Sequence, residues 1–438
     1  MYDKILLDFI NEIRENHSHK TMLLKNPFYV MKKFTISSPY RTLIPKNTKG
    51  LYAFIEEKDF KTKNYNFDFI IRYIGRSNDI QKRLLEHEKQ TNEVLTKLNE
   101  GISEDSKYFL FAKEMLQNPK RYSVYIWRWK NPRPIHNDVF NGREISIENA
   151  EGILGGLSGE VFGNKCFNRD FITRSVWALE KPNTNFIENY SDLNQYDKLD
   201  SINNLKLVDL WREWNNKYIT KRNIPLFETT SKQNEIKTHV LSGESNRVCR
   251  SIEMEELIRK EVEKIYNAFT NSPDNFDYDG LVYLVYTFGK YIERKKENDS
   301  IFDDDIIPIY IGKTETIGRN GTYSVNIKNV HKKQNKKKFA RWGDGNAYHI
   351  GDLSNVLLPN KLKPQNKYLK WAKFFFEPRN NQSLEPIKLH FPIFFWIKAW
   401  HKNDRGIIMN LPCSIPFLER QMITLTSMLY PKFMLNIY

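Results

Sequence analysis

The chain has 438 residues, 40% hydrophobic and 28% charged, with a net charge of +15; at about 100–200 residues per domain this gives two or three domains with cores of their own and excludes a disordered chain. No apolar run reaches the roughly 18 residues of a membrane span, and three widely separated cysteines, Cys166, Cys249 and Cys413, exclude a disulfide scaffold and any C-x-x-C motif, so a cytoplasmic protein without a membrane partner is expected. The positive charge favours a polyanion such as nucleic acid, although a Lys-rich composition alone produces the same balance.

Asp3 and Lys4 open an amphipathic stretch in which Ile5, Leu6, Phe9, Ile10 and Ile13 share one helix face, and no leader peptide is expected there. Strands are expected near Gly50–Glu56 and Phe67–Ile74, a helix over Ile80–Leu98, a strand over Tyr122–Trp129 and a short helix over Ile147–Leu157. From about 182 to 252 Asn, Asp, Lys and Ser dominate, which reads as a connector with one helical island at Leu205–Trp214. Glu253–Phe269 is an amphipathic helix, followed by strands at Leu281–Thr287, Ile306–Ile311 and Phe391–Trp400 and a last helix at Phe417–Leu429. The same landmarks recur in the same order, which gives an α/β (α+β) chain of two like modules: 1–181, a connector 182–252, and 253–438.

In the first half Gly50-Leu51-Tyr52 opens a strand and Tyr73-Ile74-Gly75 ends the next. Arg83 follows eight residues after Gly75, with His87 one turn further on the same helix face. Glu151 comes at a later helix start, with Asn164 beyond it. Tyrosines on paired strands can point the same way. A phenol, a guanidinium and a carboxylate that could hold a divalent metal are what phosphodiester hydrolysis requires: a group that orients or deprotonates water, a cation for the phosphorane, and a Lewis acid. Taken singly, each residue has a plainer reading. Tyrosines pack in strands, His87 and His349 can be satisfied histidines, and Glu148 rivals Glu151 three residues away.

The set Gly50-Leu51-Tyr52, Tyr73-Ile74-Gly75-Arg76 through Arg83-Leu84-Leu85-Glu86-His87, then Ala150-Glu151-Gly152-Ile153-Leu154 with Asn164, resembles the GIY-YIG nuclease superfamily over roughly residues 40–175. The second half resembles it more loosely over 253–438: Tyr283 in its strand, Ile309-Tyr310-Ile311-Gly312-Lys313, Glu419 in Leu418-Glu419-Arg420-Gln421, then Pro431 and Asn436, with a look of the restriction endonucleases of that superfamily. For its arginine two residues compete, Arg319 and Arg341; Arg341, with His349 beyond, is preferred because the surroundings of Arg319 do not read as helix.

The resemblance implies two small antiparallel sheets flanked by helices and a metal-dependent endonuclease cutting DNA, in restriction or another defence against foreign DNA. It implies Tyr52 and Tyr283 near the attacking water, Tyr73 and Tyr310 positioning water or phosphate, and Arg83 and Arg341 on the phosphorane. Glu151 and Glu419 would each hold one Mg²⁺ (or Mn²⁺), Asn164 and Asn436 would order the site, and Lys313 could help polarise the water. Arg76 and the basic run with Lys332, Lys333, Lys336, Lys337 and Lys338 are candidates for contact with double-stranded DNA, although a charge run of this kind is ordinarily a solvated loop. Two other classes stay open: a non-cleaving nucleic-acid-binding or regulatory protein, and a nuclease acting on RNA.

Overall fold

The structure is a computed structural model that describes residues 22–25, 29–30, 36–37, 43–57, 69–104, 107–129, 133–135, 143–162, 166–168, 207–230, 234–240, 246–272, 277–292, 301–318, 323–324, 327, 356–357, 366–378, 386–410 and 412–436. The expected N-terminal helix, Asn164, Arg319, Arg341, His349 and the Lys332–Lys338 run lie outside the described residues. The chain divides into two units, one of residues 1–207 with 408–424, the other of 208–407 with 425–438. The class is α+β: two small antiparallel sheets, each flanked by helices.

In the first unit the strands are β1 (Met22–Lys25), β2 (Tyr29–Val30), β3 (Ile36–Ser37), β4 (Gly50–Glu57), β5 (Phe69–Ser77), β6 (Tyr122–Arg128), β7 (Arg133–Ile135) and β8 (Arg143–Ile145). The helices are α1 (Ile80–Asn99), α2 (Lys107–Gln117) and α3 (Ile147–Phe162). The main sheet runs β1-β6-β4-β5, antiparallel throughout, with β4 central. Alternation sends Tyr52, Phe54, Tyr73, Val124 and Ile126 into one core beside Ile80 and Leu84 of α1 and Phe111 of α2. Helix α3 packs against β5 and β4. The turn into α1 is short because Asp79 caps it, its side chain accepting from Lys82 N at 3.1 Å. That turn brings Arg83 and His87 back over the strand pair.

In the second unit α4 (Leu207–Tyr218), β9 (Thr238–Val240), β10 (Asn246–Val248) and α5 (Ile252–Asn271) precede β11 (Tyr278–Phe288), β12 (Ile306–Glu315), α6 (Asn366–Phe375) and β13 (Phe394–His401). The sheet runs β12-β11-β13, antiparallel, with β11 central, the counterpart of β5-β4-β6. Ser251 caps α5, accepting from Met254 N at 3.1 Å, and its Met254, Ile258, Val262 and Ile265 face the core. The helix expected in the connector belongs to this unit from Val208 on. Trp211 Nε1 donates to Ile306 O at 2.8 Å, and Arg212 grips Asp305 through two bonds of 2.7 Å. The last helix, α7 (Ile415–Leu429), has residues 415–424 in the first unit and 425–429 in the second. In the first unit Glu160 of α3 caps its start, accepting from Ser414 N at 2.9 Å and from Ser414 Oγ.

One irregularity repeats. Along β4–β5 the pairing runs Phe54↔Tyr73 then Ile55↔Ile71, so Arg72 is a bulge; along β11–β12 it runs Val285↔Tyr310 then Tyr286↔Pro308, so Ile309 is. Each bulge precedes the tyrosine of a Tyr-Ile-Gly triplet. The carbonyl of each bulged residue accepts a backbone N–H from a segment after the following helix, from Phe167 to Arg72 at 2.6 Å and from Leu435 to Ile309 at 2.7 Å.

Candidate active site

The bulges prepare a clamp. Asn168 Oδ1 accepts from Ile74 N at 2.6 Å and its Nδ2 donates to Ile74 O at 2.6 Å. Asn436 does the same to Ile311, at 2.8 Å and 2.8 Å. Each asparagine therefore pairs like a strand residue with the middle residue of Tyr-Ile-Gly. Asn436 is the residue expected for this place in the second unit, while in the first the place is filled by Asn168. The signal was available: Asn168 lies as far beyond Glu151 as Asn436 lies beyond Glu419.

The triplet glycines explain themselves through close approach. Tyr52 pairs directly with Gly75 and Tyr283 with Gly312. A Cβ at Gly75 would fall 2.5 Å from Tyr52 Cζ, and one at Gly312 would fall 2.6 Å from Tyr283 Cε2. The hydroxyl end of each ring thus lies over a strand position where only hydrogen fits. The second tyrosine stands 6.2 Å from the first, ring centre to ring centre, for both Tyr52–Tyr73 and Tyr283–Tyr310.

Around Tyr52 the first unit gathers a polar chain. Tyr52 Oη lies 2.8 Å from His87 Nε2, a hydrogen bond whose direction follows the imidazole tautomer. Arg83 Nε donates to Tyr52 Oη at 3.4 Å, Nη2 to Tyr108 Oη at 2.9 Å and Nη1 to Glu86 at 2.8 Å. Tyr52 is 1% exposed and burial pushes its phenol up to about 12, against the pull of Arg83. Burial, with the hydroxyls of Tyr52 and Tyr108 nearby, pushes Tyr73 far up as well. For Arg83 burial works against the charge, but the bonds to Glu86 and Tyr52 outweigh it and raise its pKa. At neutral pH Tyr52 is therefore a phenol that accepts from Arg83 and shares a proton with His87, in a bond whose direction the imidazole tautomer sets.

Glu151 takes a different place. Its Oε2 accepts from Arg76 Nε at 2.9 Å, and Glu148 pairs with Arg76 Nη1 at 3.2 Å. Arg76 follows Gly75, so alternation turns it to the face opposite Tyr73, where α3 packs. The structure brings Tyr52, Tyr73, Arg83 and His87 together, and brings Glu151 and Glu148 together around Arg76 at the end of the same strand. Burial raises the pKa of Glu151, opposed first by Arg76 and then by Arg420.

In the second unit Tyr310 packs on Trp371 with centres 4.7 Å apart, and Lys313 Nζ pairs with Glu315 at 2.6 Å. Glu419 lies on the stretch of α7 that belongs to the first unit. Trp127 and Trp129 of the aromatic strand are buried.

Among the described residues no three His, Cys, Asp or Glu side chains form a metal cluster. Mg²⁺ is usually held by one or two carboxylates, completed by waters and substrate phosphate. Glu151 and Glu148, both partly exposed, offer that donor set and fit the ion. Sequence reasoning missed Asn168 and Tyr108. Comparison with known protein families, with curated proteins and with solved structures finds no match.

Proposed function

We propose that the chain is an endonuclease that hydrolyses phosphodiester bonds of double-stranded DNA with Mg²⁺ or Mn²⁺, in the cytoplasm and in defence against foreign DNA. The observation that carries this reading is the hydrogen-bonded chain Arg83–Tyr52–His87 over Gly75. In this reading His87 takes the proton of Tyr52 while Tyr52 takes one from the attacking water, so Tyr52 stays neutral through the transfer. That suits a phenol whose buried site disfavours the phenolate. Arg83 faces the charge that develops on the phosphorane, and Tyr73 holds the phosphate or the water. Glu151 and Glu148 are the carboxylates that would hold a metal, and since they gather around Arg76 on the face of β5 opposite Tyr73, the Lewis acidity of such an ion would act at the strand end beyond Gly75 rather than at the Tyr52 hydroxyl. Arg76, paired with these carboxylates, is at hand for the phosphate. Tyr283, Tyr310 and Lys313 would have the corresponding tasks in the second unit, with Arg341 or its rival Arg319 on the phosphorane, and the Lys332–Lys338 run would meet the DNA backbone; Glu419 falls in the first unit and is not assigned to that site.

A non-cleaving DNA-binding protein is the second reading. It is favoured by the burial of the phenols, since Tyr52, Tyr73 and Tyr283 are at most 7% exposed. Incubation of the pure protein with supercoiled plasmid, and with RNA, in Mg²⁺ or chelator separates the readings. If each unit cuts one strand, Tyr52→Phe in the first unit and Tyr283→Phe in the second each leave nicking without linearisation, by the roughly 10²-fold or greater loss that removal of such a group brings. A double variant that cuts as fast as wild type would leave the hydrolysis reading without its chemistry.

A further inference from the structure

Arg83 has three donor positions, and all three are engaged within its own unit. They are not equal. Glu86 lies one turn along the same helix and its side chain is 45% exposed, so this ion pair holds weakly and moves with the helix. The bond to Tyr52 is long, at 3.4 Å. Of the two partners from other elements, Tyr108 of α2 makes the shorter bond, at 2.9 Å, and its ring lies 5.7 Å from His87. The sequence offered no motif that singled it out.

The second unit repeats the position. Phe111, three residues after Tyr108, stacks on Tyr73 with centres 5.9 Å apart. Trp371, three residues after Tyr368, packs on Tyr310 at 4.7 Å, and Tyr368 is buried. A Tyr-x-x-aromatic step on the helix over the sheet thus occurs in both units.

We propose that Tyr108 is a positioning residue that fixes the Arg83 guanidinium over the Tyr52 hydroxyl. The catalytic consequence rests on the hydrolysis reading above; the hold on Arg83 does not. A planar guanidinium acts through direction, and a misplacement of about 1 Å costs on the order of 10²-fold in rate.

The test uses Tyr108→Phe, which keeps the ring and removes only the hydroxyl, in wild-type and Arg83→Ala backgrounds. In plasmid cleavage Tyr108→Phe lowers kcat about tenfold while KM stays within about twofold. In the Arg83→Ala background the same change loses most of its effect, the remainder being the contact of the Tyr108 hydroxyl with Tyr73. An equal drop in both backgrounds would mean a packing role and overturn the proposal. Side-chain nitrogen NMR of Arg83, identified by its loss in Arg83→Lys, gives a readout without catalysis. Separate Nη signals in wild type should merge in Tyr108→Phe as the guanidinium turns freely; an unchanged spectrum overturns the proposal. A wild type that cuts neither DNA nor RNA, with Nη signals that still merge, upholds the positioning role and removes the hydrolysis reading alone.

Discussion

Alanine at Gly75 tests whether the seating of the Tyr52 ring is a built constraint. A Cβ there meets Tyr52 Cζ at 2.5 Å. Carbon atoms in comfortable contact stand about 3.5–4.0 Å apart, so the ring must retreat by roughly 1 Å. It has no free direction: Tyr52 is packed among Phe54, Tyr73 and His87, and its hydroxyl is bonded to His87 at 2.8 Å. A retreat of that size takes the hydroxyl beyond hydrogen-bond range. Overpacking costs about 1–3 kcal/mol, the lost buried bond about 1 kcal/mol, and alanine returns about 0.5 kcal/mol of backbone entropy. The net is about 1.5–3.5 kcal/mol, or about 3–14 °C in the transition of a unit of this size. Scanning calorimetry reads the transition. Tyr52→Leu, which removes the clashing atoms, should make the glycine substitution nearly neutral in the double variant. Gly312→Ala should act likewise on the second unit through Tyr283. Losses under about 0.5 kcal/mol in both single variants would show that the rings have room and that the seating is incidental.

Asn168→Ala should lower stability by about 2–4 kcal/mol, since it strips both backbone groups of buried Ile74 of their partner, and hydrogen exchange at the Ile74 amide should quicken; Asn436→Ala should do the same at Ile311. Tyr52 sets an alkaline limit: its folded pKa of about 12 lies above the unfolded value of 10.0, so the unfolded state loses the proton first. The stability it contributes is whole below pH 10 and is lost as pH rises through about 12, by on the order of 3 kcal/mol in all. Tyr52→Phe should flatten that part of the stability curve in alkaline urea titrations, and an identical slope would refute the assignment.

The sequence made the element order legible because the apolar periods are strong: Ile80–Asn99, Tyr122–Arg128 and Ile252–Asn271 fall close to the expected spans. The Tyr-Ile-Gly spacing to Arg83 and His87 gave the cluster around Tyr52, since a short capped turn leaves the helix only one way back. Asn168 escaped because two asparagines stand close together there, and only alignment with the interval from Glu419 to Asn436 in the second half tells it from Asn164. Helices α2 and α6 were passed over: their aromatic residues pack by contact with tyrosines distant in sequence. The helix Leu207–Tyr218 read as a connector from its polar flanks, yet Trp211 and Trp214 tie it to the second sheet.

Comparison of the two units separates scaffold from ornament. Both keep the bulge, the asparagine clamp, the ring over glycine and the tyrosine three residues before an aromatic. They differ in what fills the bulge. Arg72 is buried and binds Glu56 at 2.6 Å and Glu114 at 2.8 Å. By the same register the second unit has Ile309, Thr287 and Phe374 in those places, and Ile309 is wholly buried. A buried ion cluster and an apolar plug of similar bulk are often close in stability. Either supports the carbonyl that accepts from Phe167 or Leu435. Since the clamp survives the exchange, the charges at Arg72 serve burial of the bulge rather than the tyrosine site. The features common to both units all bear on where the first tyrosine ring sits.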